Sequence, residues 1–217
     1  MLGNILTGYI VPISILFPIF VFLLRYRTAD KANSTIFYYL IFAGLVNAIA
    51  IFMSNYGIRN LPLLHIYTIV ETVFFLVYFR SIFRKTLIKK VLNIAIVILP
   101  ILFVLNFIFF QSIHEFNTYT RPLEAIIITL VCLYFMYSSE FVEYWLHLST
   151  SWINIGILIY FPTSTIIFIL SNYFVFVSSN KQLNSIIWDV HSVLVLAMYL
   201  AFAKAFSLIT KKVGDGR

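Results

Sequence analysis

Along this chain apolar residues run in long blocks rather than in alternation. Seven blocks reach toward the roughly 20 helical residues needed to cross hydrocarbon. They are Tyr9 to Leu24, Ser34 to Met53, Leu61 to Tyr78, Val91 to Phe110, Pro122 to Phe141, Trp152 to Val177 and Ser185 to Phe206. A membrane-spanning strand needs only about ten residues and alternates in hydropathy. These blocks are longer and continuous, so the pattern predicts helices. Backbone N–H and C=O groups in hydrocarbon must also be satisfied within the segment, which a helix does alone. The expected fold is an all-α membrane protein: a single seven-transmembrane-helix bundle over residues 1–217.

Prolines punctuate the blocks. Pro62 and Pro122 fall where a helix would begin and a missing N–H is harmless. Pro12, Pro18, Pro100 and Pro162 fall inside spans and predict kinks. After Pro162 come Thr163, Ser164 and Thr165, whose hydroxyls are expected to satisfy the carbonyl freed by the proline. The first block has neither a basic leader nor a small-residue cleavage site, and reads as a permanent helix rather than a signal peptide.

Composition agrees and excludes other classes. At 62% hydrophobic and 11% charged, with mean hydropathy +0.98, the chain is unlike a soluble domain, a disordered protein or a nucleic-acid binder. One cysteine, Cys132, excludes an intramolecular disulfide and a cysteine-rich metal site. The lipid bilayer is the first partner implied. Abundant Ile, Phe, Tyr and Asn with little Ala fits an AT-rich bacterial genome, hence the cytoplasmic (inner) membrane of a bacterium.

The net charge of +7 matters through its distribution. Arg25, Arg27, Lys31, Arg80, Arg84, Lys85, Lys89, Lys90, Lys204, Lys211, Lys212 and Arg217 fall on one side of the seven spans. Only Arg59, Arg121 and Lys181 fall on the other. The positive-inside rule then places the N-terminus outside and the C-terminus in the cytoplasm. Glu140, Glu143 and His147 occupy the one cytoplasmic connection without basic residues, but acidic residues weigh little in this rule. The cluster from Arg80 to Lys90 reads first as a topology determinant; docking of a signalling partner or of anionic headgroups is the alternative. Tyr9, Trp145, Trp152 and Trp188 near span ends suit interfacial belts. No GxxxG face or internal repeat appears, so oligomeric state is unread.

Candidate chemistry rests on polar groups inside spans, because an isolated charge there is expensive. Glu71 lies roughly 14 Å into the third span, sharing a face with Tyr67 and Thr68; His65 is turned about 120° away. A hydrogen-bonded tie from Glu71 to Asn47 is the plainer alternative to a functional role. Arg121 and Glu124, three residues apart, suggest an ion pair at the outer interface, roughly 3 Å below the start of the span, or a site for an anionic headgroup. In the seventh span Asp189 and Ser192 share a stripe, whereas His191 points about 200° from Asp189. Asn172 belongs to the same outer side. The four histidines fall on different segments with no HxxxH or HExxH spacing, so no metal or cofactor is expected. No lysine lies mid-span in the seventh block to carry a retinal Schiff base.

The segments LLHIYTIVE, FNTYTRPLEA, WINIGILIYF and IIWDVH resemble a family of small, uncharacterised polytopic bacterial membrane proteins associated with two-component signalling. That resemblance implies a sensory role and transfers no catalytic residue. The sequence is therefore read as a receptor-like bundle with an outward-facing polar pocket for a small or amphiphilic ligand. Glu71, Arg121, Glu124, Asp189, His191 and His65 would line it, supported by Asn47, Tyr67, Thr68, Asn172 and Ser192. Output would pass to a separate partner at the basic third connection. A proton- or cation-coupled transporter is the alternative, and a metal-dependent intramembrane hydrolase the third reading.

Overall fold

A computed structural model describes residues 6–139, 144–177 and 181–209. Among these residues there is no strand, and seven helices are long and apolar enough to cross a membrane, the architecture of a multi-pass membrane protein. They are α1 (Gly8–Thr28), α2 (Lys31–Asn55), α3 (Leu61–Ile82), α4 (Thr86–Phe109), α5 (Thr120–Ser138), α6 (Ser149–Asn172) and α7 (Lys181–Ser207).

Most helices overrun their apolar blocks. A helix continues while the next carbonyl finds an N–H, so it ends at a cap rather than where hydropathy falls. Asp30 provides such a cap for α2, its Oδ1 accepting the Asn33 N–H at 2.8 Å. The block ending at Phe141 stops earlier than expected, since α5 ends at Ser138. Glu140 and Glu143, like Lys211, Lys212 and Arg217, lie outside the described residues.

Two proline expectations meet the backbone differently. α1 is interrupted at Ile15, between Val11–Ser14 and Leu16–Arg25. The cause is Pro18, which cannot donate to the Ser14 carbonyl one turn earlier. α6 instead runs unbroken through Pro162. The hydroxyls of Ser164 and Thr165 donate to the Phe161 carbonyl at 2.9 and 3.0 Å, not to the Leu158 carbonyl that the proline leaves without its donor.

Six helices close a ring in the order α1, α2, α3, α5, α6, α7, with α1 returning against α7. α4 stands outside, packed chiefly on α3. Burial reflects this: 11% of the α4 span is buried against 50% of the α6 span, so α4 presents most of its apolar surface outward. Inside the ring, the half toward the α3–α4 connection is filled by Phe22, Ile36, Leu40, Phe75, Phe79, Phe161, Phe202 and Phe206, all fully buried. Gly156 lets α6 and α7 approach closely: a Cβ there would lie 2.8 Å from the Phe202 ring.

The start of α5 is the unexpected element. Thr72, eleven residues into α3, hydrogen-bonds Glu124, only four residues into α5. At 1.5 Å per residue, α5 therefore begins roughly 10 Å deeper than the parallel α3. The chain before it folds back into the bundle, and hydrogen bonds hold it there, although Gln111 Oε1 is buried without a partner among the described residues. Gln111 donates to the Phe116 carbonyl and Thr118 hydroxyl, Asn172 accepts the Phe116 N–H at 3.0 Å, and His65 donates to the Glu115 carbonyl at 3.0 Å.

Candidate functional site: a buried charge cluster beneath a central cavity

The recessed start of α5 brings Arg121 to the level of Glu71. Asn117 fixes that start: its Oδ1 accepts the N–H groups of Thr120 and Arg121 at 3.0 and 3.1 Å, and its amide donates to Thr68 Oγ1 at 3.2 Å. The first turn is thereby capped by a side chain from outside the helix and pinned to α3.

Around Arg121 gathers a cluster whose three charged side chains, Arg121, Glu71 and Glu124, are fully buried. Nη1 bridges both carboxylates, pairing with Glu71 Oε2 and, at 2.6 Å, with Glu124 Oε2. Nη2 donates to the Tyr160 hydroxyl at 2.8 Å. With that oxygen accepting, the Tyr160 proton is left to reach His191 Nε2, 3.2 Å away. The remaining oxygen of Glu71 accepts from Tyr39 at 2.6 Å and Tyr67 at 2.9 Å, and that of Glu124 from Thr72 at 2.9 Å. Rings of Tyr67, Tyr160, Phe161 and Phe168 stand 5.3–5.8 Å from the guanidinium carbon, within cation–π range. Hydrogen bonds and rings replace the water that these charges lost. Two carboxylates against one guanidinium leave a formal charge of −1 when all three are ionised.

Above the cluster lies a central cavity of about 360 Å³, toward the α2–α3 end of the ring. Arg121 and Tyr160 reach it from the cluster, with Tyr67, Asn47, His191, Ser192 and Tyr199 as the other deep polar groups. Phe116, Phe168 and Trp188 form much of its apolar wall. Trp188, placed by sequence in an interfacial belt, instead packs on Phe116, Phe168 and His191. It lies on the inner face of α7, so ring contacts inside the bundle set its position.

Several sequence expectations need correction. Arg121 and Glu124 form the expected pair, but in the middle of the bundle, because the preceding segment dips inward. Glu71 is tied to Arg121, Tyr39 and Tyr67 rather than to Asn47, whose amide meets the Tyr199 hydroxyl. His65 is buried but stands apart, against Phe107 and the Glu115 carbonyl, as its 120° offset from Glu71 requires. Asp189 is half-buried and lines neither cluster nor cavity, being on the opposite side of α7 from His191. Thr68 and Asn172 hold the recessed segment rather than the cavity. Among the described residues no group of three or more His, Cys, Asp or Glu side chains is placed to hold a metal ion.

Sequence reading missed Tyr39, Thr72, Asn117, Tyr160 and Tyr199. Asn117 carried a usable signal, an Asn just before a helix start, while the tyrosines were lost among many aromatics explained by lipid contact. No family model matches the chain, and neither do the curated proteins or the solved structures compared with it.

Proposed function

We propose that the protein is a receptor-like membrane protein that binds a small ligand in the central cavity and transmits occupancy to the other end of the bundle. The observation that supports this most is the cavity itself, whose deepest polar groups are wired by hydrogen bonds to a buried ion cluster joining α2, α3, α5 and α6. A ligand bonding Tyr160, His191 or Tyr199 acts on α6 and α7 and, through Arg121, on α3 and α5. Phe75, Phe161, Phe202 and Phe206 fill the ring below, which suits a sensor better than an open pathway.

The cluster also narrows the ligand. Arg121 is already engaged by two carboxylates, so an anionic head entering the cavity would meet no uncommitted cation. The reading is therefore a ligand with an apolar body and a neutral or cationic hydrogen-bonding head. The proposed orientation follows the basic residues, with the cavity facing outward in a bacterial inner membrane and the basic end in the cytoplasm. The resemblance to polytopic proteins of signalling contexts points the same way, with output to a partner at the basic end.

A matched series of phenethylamine, phenethyl alcohol and phenylacetate tests this by thermal unfolding of the purified chain. Stabilisation should follow amine, then alcohol, then acid, and weaken in Tyr199→Phe. Preferential stabilisation by the acid, or no stabilisation by any member, would overturn the reading.

One observation favours a second reading, a proton- or cation-coupled transporter: the excess carboxylate in the cluster offers a place for one positive charge. Solute uptake by proteoliposomes driven by a pH gradient, and lost in Glu71→Gln, would support it over the receptor.

A further inference from the structure

The opposite end of the bundle holds a larger cavity, about 960 Å³, between the start of α2, the end of α3, the start of α4, the end of α5 and the start of α6. Lys31, Arg80, Arg84, Lys85 and Lys89 line it, against a single described carboxylate, Asp30. Its Oδ1 accepts from the backbone and side-chain amides of Asn33, so one negative charge faces five positive ones. Among the described residues none of the five cations is in an ion pair, and Arg80 Nε is buried with no hydrogen-bond partner there. So many unpaired cations around one concavity repel one another, and the repulsion falls when an anion enters.

Two further features select the kind of anion. Lys85 and Leu148, the residues that precede α4 and α6, line the cavity and supply no side-chain cap, so two positive helix ends add to the field of the side chains. The guanidiniums of Arg80 and Arg84 match the paired oxygens of a phosphate. The walls mix apolar residues, Val77, Phe83, Ile88 and Phe135 among them, with the polar Ser81, Ser151 and Asn154, so the lining offers both apolar contact and hydrogen bonds beside the cations.

We propose that this cavity is a binding site for a phosphate-bearing anion, either the headgroup of an anionic phospholipid or a soluble phosphorylated compound. The inference is independent of what fills the central cavity, since the two sites lie at opposite ends of the bundle and share no lining residue.

The test uses the full chain purified in a neutral detergent, titrated with phosphatidylglycerol, phosphatidylcholine and inorganic tripolyphosphate. Thermal unfolding and equilibrium binding are read at low and high salt. Stabilisation by phosphatidylglycerol but not by tripolyphosphate assigns the site to lipid, and the reverse assigns it to soluble phosphate; binding of both supports the shared chemistry. Each cation near an anionic surface changes affinity roughly fivefold, so R84Q/K85Q/K89Q should bind about a hundredfold more weakly. The charge-retaining K85R/K89R should stay within about threefold, as should K204Q, an exposed cation that does not line the cavity. Should the triple variant not fold, K85Q alone reads the single-charge effect. The proposal is overturned if neither anion binds, if phosphatidylcholine binds as well as phosphatidylglycerol, or if R84Q/K85Q/K89Q (K85Q where the triple does not fold) retains wild-type affinity. A loss in K204Q equal to that in K85Q would also overturn it, showing diffuse surface attraction instead of a built site.

Discussion

Replacing Arg121 by Met gives the sharpest test of the buried cluster. Arg121→Met removes the cation between Glu71 and Glu124 and, with both carboxylates ionised, changes the formal charge of the cluster from −1 to −2. Each carboxylate keeps donors: Tyr39 and Tyr67 on Glu71, Thr72 on Glu124. What is lost is ionic compensation, not the last hydrogen bond. Removing one partner of a buried ion pair costs about 3–5 kcal/mol. At about 2–4 °C per kcal/mol for a chain of this size, unfolding should fall by roughly 6–20 °C. The decisive feature is a change of sign. In the wild type, Glu71→Gln removes one ion pair and should destabilise by about 1–3 kcal/mol. In the Arg121→Met background the same change removes an uncompensated charge and should recover about 2 kcal/mol. The assay is thermal unfolding of the four proteins in one detergent, read as a double-mutant cycle. If Glu71→Gln destabilises both backgrounds equally, within about 0.5 kcal/mol, the ion pair is not coupled and the cluster is misread.

Other outcomes follow from single positions. Gly156→Ala places a methyl 2.8 Å from the buried Phe202 ring and 3.2 Å from Ala201 Cβ; it should destabilise by about 1–3 kcal/mol, measured by thermal unfolding. Asn117→Ala uncaps the recessed start of α5, so it should lower stability by about 1–2 kcal/mol and speed amide exchange at Thr120 and Arg121, read by mass spectrometry. Cys132 is fully buried on α5, so a maleimide should label it only as the bundle unfolds, and rapid labelling of the native protein would refute the packing. In a Cys132→Ser background, His114→Cys and Arg84→Cys should be reached by an impermeant thiol reagent from opposite faces of a vesicle; labelling from the same face would refute the proposed topology.

Glu71, Arg121 and Glu124 stood out in the sequence because charge within an apolar run is costly wherever the run folds. Their convergence was not legible. Helical spacing reports which residues of one helix share a face, and it correctly separated His65 from Glu71 and Asp189 from His191. It says nothing about the vertical offset between helices. That offset, about 10 Å between α3 and α5, moved Arg121 and Glu124 from an expected interface into the middle of the bundle. Tyr39 and Tyr160 were equally hidden, because a tyrosine facing lipid and one bonded to a buried ion look alike in a sequence this rich in aromatics.

By itself the sequence determined the seven spans and the separation of basic residues to one side of them. Both follow from transfer free energies that act on each residue almost independently of its neighbours in space. Tertiary structure decided the ring that leaves α4 outside, the inward fold before α5, the three-charge cluster and the cavities at the two ends. Those features depend on which faces of different helices meet and at what height, through packing and hydrogen bonds between residues as far apart as Tyr39 and Glu71 or Thr72 and Glu124.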